Sequence, residues 1–216
     1  KSTLGRLLIR LDTPTHGDIL FDGINITHLK GSRLRQRRKQ MQMIFQAASS
    51  SLNPRYTVRE TIAEAIEAHR GRLRREEMEQ QLVSILDKVG LSLSVLQRKP
   101  REFSSGEKQR ISIARTLAVE PAFLVADEPV TSLDVSSQMQ IIELLRSLQR
   151  DLHVGILLIT HDLHTVRISC DRVAVMYLGR IVESADTSTL FRAPAHPYTR
   201  ALIASSLSAD PGRRTS

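Results

Sequence analysis

Residues Phe123–Pro129 read FLVADEP. Four apolar residues run without interruption into two adjacent carboxylates, Asp127 and Glu128, and a proline. An apolar run lacking polar alternation is expected of a parallel strand covered by helices on both faces. A second run of the same kind, GILLIT (Gly155–Thr160), leads into His161. Between the two, Ile141, Leu145, Leu148 and Leu152 recur at helical spacing. Strand, helix, strand in this order is a βαβ unit, so the fold class expected is α/β with a parallel sheet. In open sheets of this class ligands gather at the carboxyl ends of the strands, where Asp127, Glu128 and His161 all fall. One carboxylate there can hold a hydrated magnesium ion while the other orients and deprotonates a water. An imidazole at the end of the next strand can hydrogen-bond a terminal phosphate and that water. Taken alone, the acidic pair favours the plainer reading, a strand that simply ends in solvent.

Two upstream stretches add to this. FSSGEKQRISIARTL sets Ser104, Ser105 and Gly106 before a helix carrying Ile111, Ala114 and Leu117. Small residues at a helix start leave backbone N–H groups facing outward at the positive end of the dipole, which suits an anion. The plainer reading is a Ser104 cap with Glu107 closing a capping box, and both can hold. The chain opens KSTLGRLLIRL, with Leu4, Leu7, Leu8 and Leu11 on one helical face until Pro14 and Gly17 stop it. Behind a glycine-rich loop, Lys1 would reach the β- and γ-phosphates of a nucleotide and Ser2 would ligate Mg²⁺.

The rest of the chain sets bounds. At 216 residues it is long enough for one domain with a full core, and its 41% hydrophobic and 25% charged residues are ordinary for a globular protein. No apolar run approaches the roughly 20 residues that span a bilayer. Cys170 is the only cysteine, which excludes an internal disulfide and argues against zinc or iron–sulfur chemistry. The net charge of +8 is concentrated in LKGSRLRQRRK (Leu29–Lys39), read either as a solvated helix face or as a surface for nucleic acid or anionic lipid. No aromatics interleave with it, which weakens single-strand binding. DILFDGINI reads as a hairpin around Asp22-Gly23, and MQMIF as a short buried strand. TVRETIAEAIEAH and EEMEQQLVSILDKVGL read as helices, the second capped at Gly90. DRVAVMYLGRIVESA adds a strand and a hairpin, and the last thirty residues hold one short helix and a polar tail.

In order, these residues resemble the nucleotide-binding ATPase of ATP-binding-cassette (ABC) transporters. Lys1-Ser2-Thr3 matches the end of a Walker A motif and Gln46, in MIFQ, a Q-loop. Ser104–Glu107 match the signature, Phe123–Asp127 Walker B, Ser132–Asp134 the D-loop and His161 the switch histidine. ASSSLNPR (48–55), DEPVTSLDVSSQ and LFRAPAHPYTRAL resemble importers of oligopeptides, dipeptides and nickel. The resemblance implies a RecA-like P-loop NTPase core with an inserted helical subdomain. Its boundaries are a partial core at 1–45, the helical subdomain with the Q-loop at 46–101, the remaining core at 102–185 and an importer-type extension at 186–216.

It also implies ATP and Mg²⁺ as cofactors. Glu128 would polarise the water and Asp127 would act through Mg²⁺. Gln46 would sense the γ-phosphate and metal while contacting the permease. Lys1, Ser2 and Thr3 would hold ATP in the same chain. Ser104, Ser105, Gly106, Glu107 and Asp134 would serve a head-to-tail dimer in which each signature meets the other chain's ATP. The implied partners are membrane permease subunits, a second ATPase (a paralogue sooner than an identical chain) and, indirectly, an extracytoplasmic solute-binding protein. No nucleic acid is expected, and the implied location is peripheral, on the cytoplasmic face of the inner membrane. Ser105 departs from the family pattern, which has glycine there; Glu107 stands where glutamine is usual. Family members carry strands, an adenine-stacking aromatic and loop glycines before the lysine. The expectation is therefore a domain cut inside its phosphate loop, with N-terminal strands missing, that alone binds ATP poorly. A soluble ABC-type ATPase acting on nucleic acid or ribosomes, or an inactive fragment, are the other readings.

Overall fold

The computed structural model describes residues 1–46 and 52–208. They divide into two compact units, Ser2–Ile159 and a second comprising Lys1 and the residues from Thr160 onward. In the first unit the order is α1 (Ser2–Leu8), β1 (Leu20–Phe21), β2 (Ile24–Asn25), α2 (Gly31–Gln40) and β3 (Met41–Ile44). Helices α3 (Val58–Arg70), α4 (Arg75–Lys88) and α5 (Ser105–Leu117), with two short 3₁₀ turns, lead to β4 (Phe123–Asp127). Helix α6 (Val135–Leu152) then leads to β5 (Gly155–Ile159). Strands β3, β4 and β5 are parallel in that spatial order, with Met43 opposite Val125 and Asp127 opposite Ile159. The parallel α/β sheet expected from the two apolar runs is present.

Strand alternation divides the packing. Leu124 and Ala126 enter the large core that also holds Ile62, Leu82, Ile111, Ile141 and Leu145. Val125 points the other way, into a smaller core with Ile9, Ile26, Met41, Met43 and Ile159. Each fully buried Leu or Ile contributes roughly 1.5–3 kcal/mol relative to exposure. On this second face α1 lies very close to the sheet. A Cβ added to Gly5 would sit 2.9 Å from both Ile159 Cδ1 and Val125 Cγ1, so only glycine permits the approach. The leucine face expected for α1 is corrected accordingly. The helix ends at Leu8, Leu11 is exposed, and the buried positions are Gly5, Ile9 and Arg10. Close approach to a sheet favours the smallest residue, not the most apolar stripe. Leu152, counted on the α6 stripe, is also exposed, at the frayed end before His153 takes a left-handed backbone.

The helical insertion starts on strong local signals. The Thr57 hydroxyl accepts from the Glu60 N–H at 3.2 Å while Glu60 accepts from the Thr57 N–H at 2.7 Å, a closed capping box. Helix α4 ends two residues before Gly90, whose φ of 65° supplies the left-handed turn expected there. The C-terminal end of α3 is tied down twice. Lys39 Nζ donates to the His69 carbonyl at 2.8 Å, and Arg70 pairs with Glu120. Lys39 belongs to the basic run, which forms α2. None of its residues is buried, as a solvated face requires, but Arg38 also donates to the Arg10 carbonyl. Residues 48–51 of ASSSLNPR lie outside the described residues, as does the tail from 209.

In the second unit, α7 (Leu163–Ser169) precedes a single antiparallel hairpin, β6 (Arg172–Tyr177) and β7 (Arg180–Asp186), where a strand plus a separate hairpin was expected. The turn puts Leu178 at φ 45° and Gly179 at φ 80°, two left-handed residues in succession. Two helices follow, α8 (Thr187–Arg192) and α9 (Pro197–Ser208), correcting the expected one. Pro194 interrupts the helical run. Glu183 then accepts from the N–H groups of Ala195 and His196, at 2.8 and 3.0 Å, and so satisfies the start of α9. Val175, Leu190 and Ile203 form this unit's own core.

Candidate nucleotide site

Alternation along β4 decides which way its last carboxylate points. Asp127 shares the parity of Val125, so it falls on the α1 face of the sheet. It is 5% exposed, and its Oδ1 is buried with no hydrogen-bond partner in the structure. A buried carboxylate oxygen left without a donor is costly. A magnesium ion or its water would satisfy it, and oxygen donors that are few in number are the habit of Mg²⁺, which keeps waters and substrate phosphates in its shell. Among the described residues no cluster of three His, Cys, Asp or Glu side chains gathers that could hold a metal by itself.

Glu128 is built differently. It leaves the strand with φ 45°, a left-handed backbone that a non-glycine residue adopts at a cost of about 1–3 kcal/mol. Its N–H is committed to the Ile159 carbonyl at 2.8 Å, which holds that conformation against the sheet. The half-buried carboxylate is gripped from two sides. Its Oε2 accepts from Gln46 Nε2 at 3.1 Å and from Thr131 Oγ1 at 3.0 Å. The structure therefore brings Gln46, from the end of β3, to Glu128, from the end of β4. Sequence reasoning missed Thr131; the only signal was a hydroxyl three residues beyond a carboxylate, in a stretch rich in turn formers.

The signature segment carries the capping box expected of it. Ser104 N and Oγ both lie 2.9 Å from Glu107 Oε2, and Glu107 N donates to Ser104 Oγ at 3.3 Å. The Ser104 backbone N–H, then its hydroxyl, hold the Glu107 carboxyl below the usual range. Ser105 is the first helical residue and is exposed, so its Cβ meets no backbone strain there. Gly106 is the tight one: a Cβ would come 3.2 Å from Ser137 Oγ. That hydroxyl donates to Asp134 Oδ2 at 2.7 Å, and Asp134 caps α6 and has its carboxyl lowered chiefly by this bond. The signature turn and the Asp134 turn thus meet through Ser137. Thr3 is exposed beside Ser2 in the first turn of α1. Lys1 and His161 belong to the other unit, where Lys1 Nζ donates to the Thr160 carbonyl at 3.3 Å and His161 is exposed.

A parallel sheet with a carboxylate buried at one strand end, a second turned out beside it, and a serine-capped helix before that strand defines a nucleoside-triphosphatase arrangement. A family model described as "ABC transporter" matches residues 1–131, and one described as "Oligopeptide/dipeptide transporter, C-terminal region" matches residues 182–216. A putative peptide import ATP-binding protein of Brucella ovis is 46% identical over 215 residues, covering 100% of this chain and 68% of that protein. The oligopeptide transport ATP-binding protein OppF of Bacillus subtilis is 44% identical over 212 residues, covering 98% and 70%. Among solved structures, the ADP- and Pi-bound, post-hydrolysis dimer of the ATP-binding cassette MJ0796 aligns with a TM-score of 0.75 at 28% identity, covering 86% of this chain and 80% of that one. The chain belongs to the ABC transporter family. It is of the ATPase domain class, using ATP with Mg²⁺.

Proposed function

We propose that this chain energises an importer of peptides, with Glu128 as the group that activates water against the γ-phosphate of ATP. The observation that carries the reading is the division of labour at the end of β4. Asp127 is buried with an oxygen awaiting a positive partner, while Glu128 is turned off the strand and held by donors. Bound there, Mg²⁺ would supply charge neutralisation between the β- and γ-phosphates. Asp127 and the Ser2 hydroxyl would hold it, with the Gln46 amide oxygen facing the same ion. Lys1 and Thr3 would bind the phosphates and His161 would hydrogen-bond the γ-phosphate. Ser104, Ser105, Gly106, Glu107 and Asp134 form the face presented to a second ATPase subunit. A paralogue is proposed there, with permease subunits as the membrane partners and the cytoplasmic face of the membrane as the location. The segment 46–101, entered through Gln46, is the part proposed to meet the permease.

Peptides, sooner than nickel, are proposed as the solute, on the strength of the relatives' names and the match at 182–216. The test uses the subunit assembled with its permease in vesicles. Glu128→Gln is expected to lower ATP hydrolysis by at least about 100-fold with ATP still bound, since a general base contributes roughly 10²–10⁴-fold. Hydrolysis unaffected by that change, or nickel uptake without peptide uptake, overturns the corresponding part. Retention on RNA with no permease association overturns the importer reading as a whole.

A further inference from the structure

We propose that Thr131 is a positioning residue for the Glu128 carboxylate and acts on hydrolysis only through it. This rests on the reading of Glu128 as the water-activating group. The backbone of Glu128 is fixed from the sheet side by its N–H to the Ile159 carbonyl. That bond leaves the side-chain torsions unset, and a carboxylate that activates water must present one oxygen in one place. Thr131 Oγ1 stands 3.0 Å from Glu128 Oε2 and 3.3 Å from the Glu128 carbonyl oxygen. A hydroxyl has one proton to give, and the shorter contact to an ionised acceptor is the stronger. With Gln46 on the same Oε2, two donors arriving from different elements set the plane of the carboxylate.

The support behind Thr131 is rigid although the side chain itself is exposed. Val130 and Leu133, on either side of it, are 6% and 8% exposed within the large core, and the Leu133 N–H closes on the Val130 carbonyl at 3.1 Å. Branching at Cβ restricts χ1, so holding the hydroxyl costs little entropy. An ordinary turn hydroxyl would bond the backbone and leave the carboxylate alone. Here the contact to the carboxylate is the shorter of the two.

The test uses the subunit in its assembled transporter, in four forms: Thr131→Val, Thr131→Ser, Glu128→Gln, and Glu128→Gln with Thr131→Val. Thr131→Val keeps shape and removes the donor. It is expected to lower kcat about 10-fold or more, equal to about 1.4 kcal/mol of barrier. KM for ATP, and the affinity for a fluorescent ATP analogue, should move less than about twofold. Thr131→Ser keeps the hydroxyl and should stay within about threefold of wild type. In the Glu128→Gln background, Thr131→Val should cost nothing more, because effects routed through one group are not additive. Equal rates for the Val and Ser forms, or a further loss in the double variant, overturn the proposal. So does a kcat loss matched by an equal loss of folded protein on thermal melting. If Glu128→Gln hydrolyses normally, the reading of Glu128 itself has failed. If Glu128→Gln is inactive and Thr131→Val is normal, only the role of Thr131 falls.

Discussion

At the residue scale, the positions proposed to carry chemistry differ in how they show themselves. Asp127 and Glu128 stood out because the next apolar strand ends in His161, so the three fall at one sheet edge. Ser104 and Glu107 were visible through their spacing, and the reciprocal bonds between them are present. Ser104→Ala removes the hydroxyl side of that box and leaves the Ser104 backbone N–H on Glu107. The expected cost is about 1 kcal/mol, read calorimetrically as a drop in melting temperature of about 2–4 °C. Ser105→Gly, at an exposed first-turn position, should shift it by less than about 1 °C; equal shifts for the two would show that the box contributes nothing. Thr131 and the left-handed backbone of Glu128 were not legible. Both follow from where the chain turns after β4, and that turn is set by the register of β4 against β5, a long-range pairing with no local signature.

At the scale of elements, helices with caps were the easiest to read, and helices shaped by a neighbour the hardest. Thr57 and Gly90 announce α3 and α4. Gly5 does not announce that α1 lies against β4 and β5, because its meaning depends on Val125 and Ile159. The junction at the end of α3 has a pH dependence whose sign can be worked out. Burial, and then the nearby Lys39, lower the His69 imidazole below its usual value of about 6.5, and Arg70 adds to this while Glu120 opposes it. The folded chain therefore holds His69 neutral. Its contribution is complete above pH about 6.5 and is lost as pH falls through the lower folded value. The melting temperature should fall more in wild type than in His69→Gln between about pH 7.5 and 5. Parallel declines would remove His69 from the account.

On the scale of the whole molecule, the described residues form three buried clusters where one full core was expected. The unit from Thr160 onward builds its own around Leu190, which is fully buried. Leu190→Ala should cost about 2–5 kcal/mol of local stability. It should appear as faster amide exchange across β6, β7 and α8; unchanged exchange there would mean that this cluster does not hold the unit. Helix α9 of this unit was hidden in the sequence by Pro194 and Pro197. A carboxylate from another element, Glu183, starts that helix. Among the described residues no helix is long and apolar enough to cross a membrane. The unusual backbone at Glu128 bears on how such a protein can be improved. Asparagine or glycine would relax that φ of 45° at once. A library screened only for heat resistance would enrich them there, and its hardiest survivors would be silent pumps.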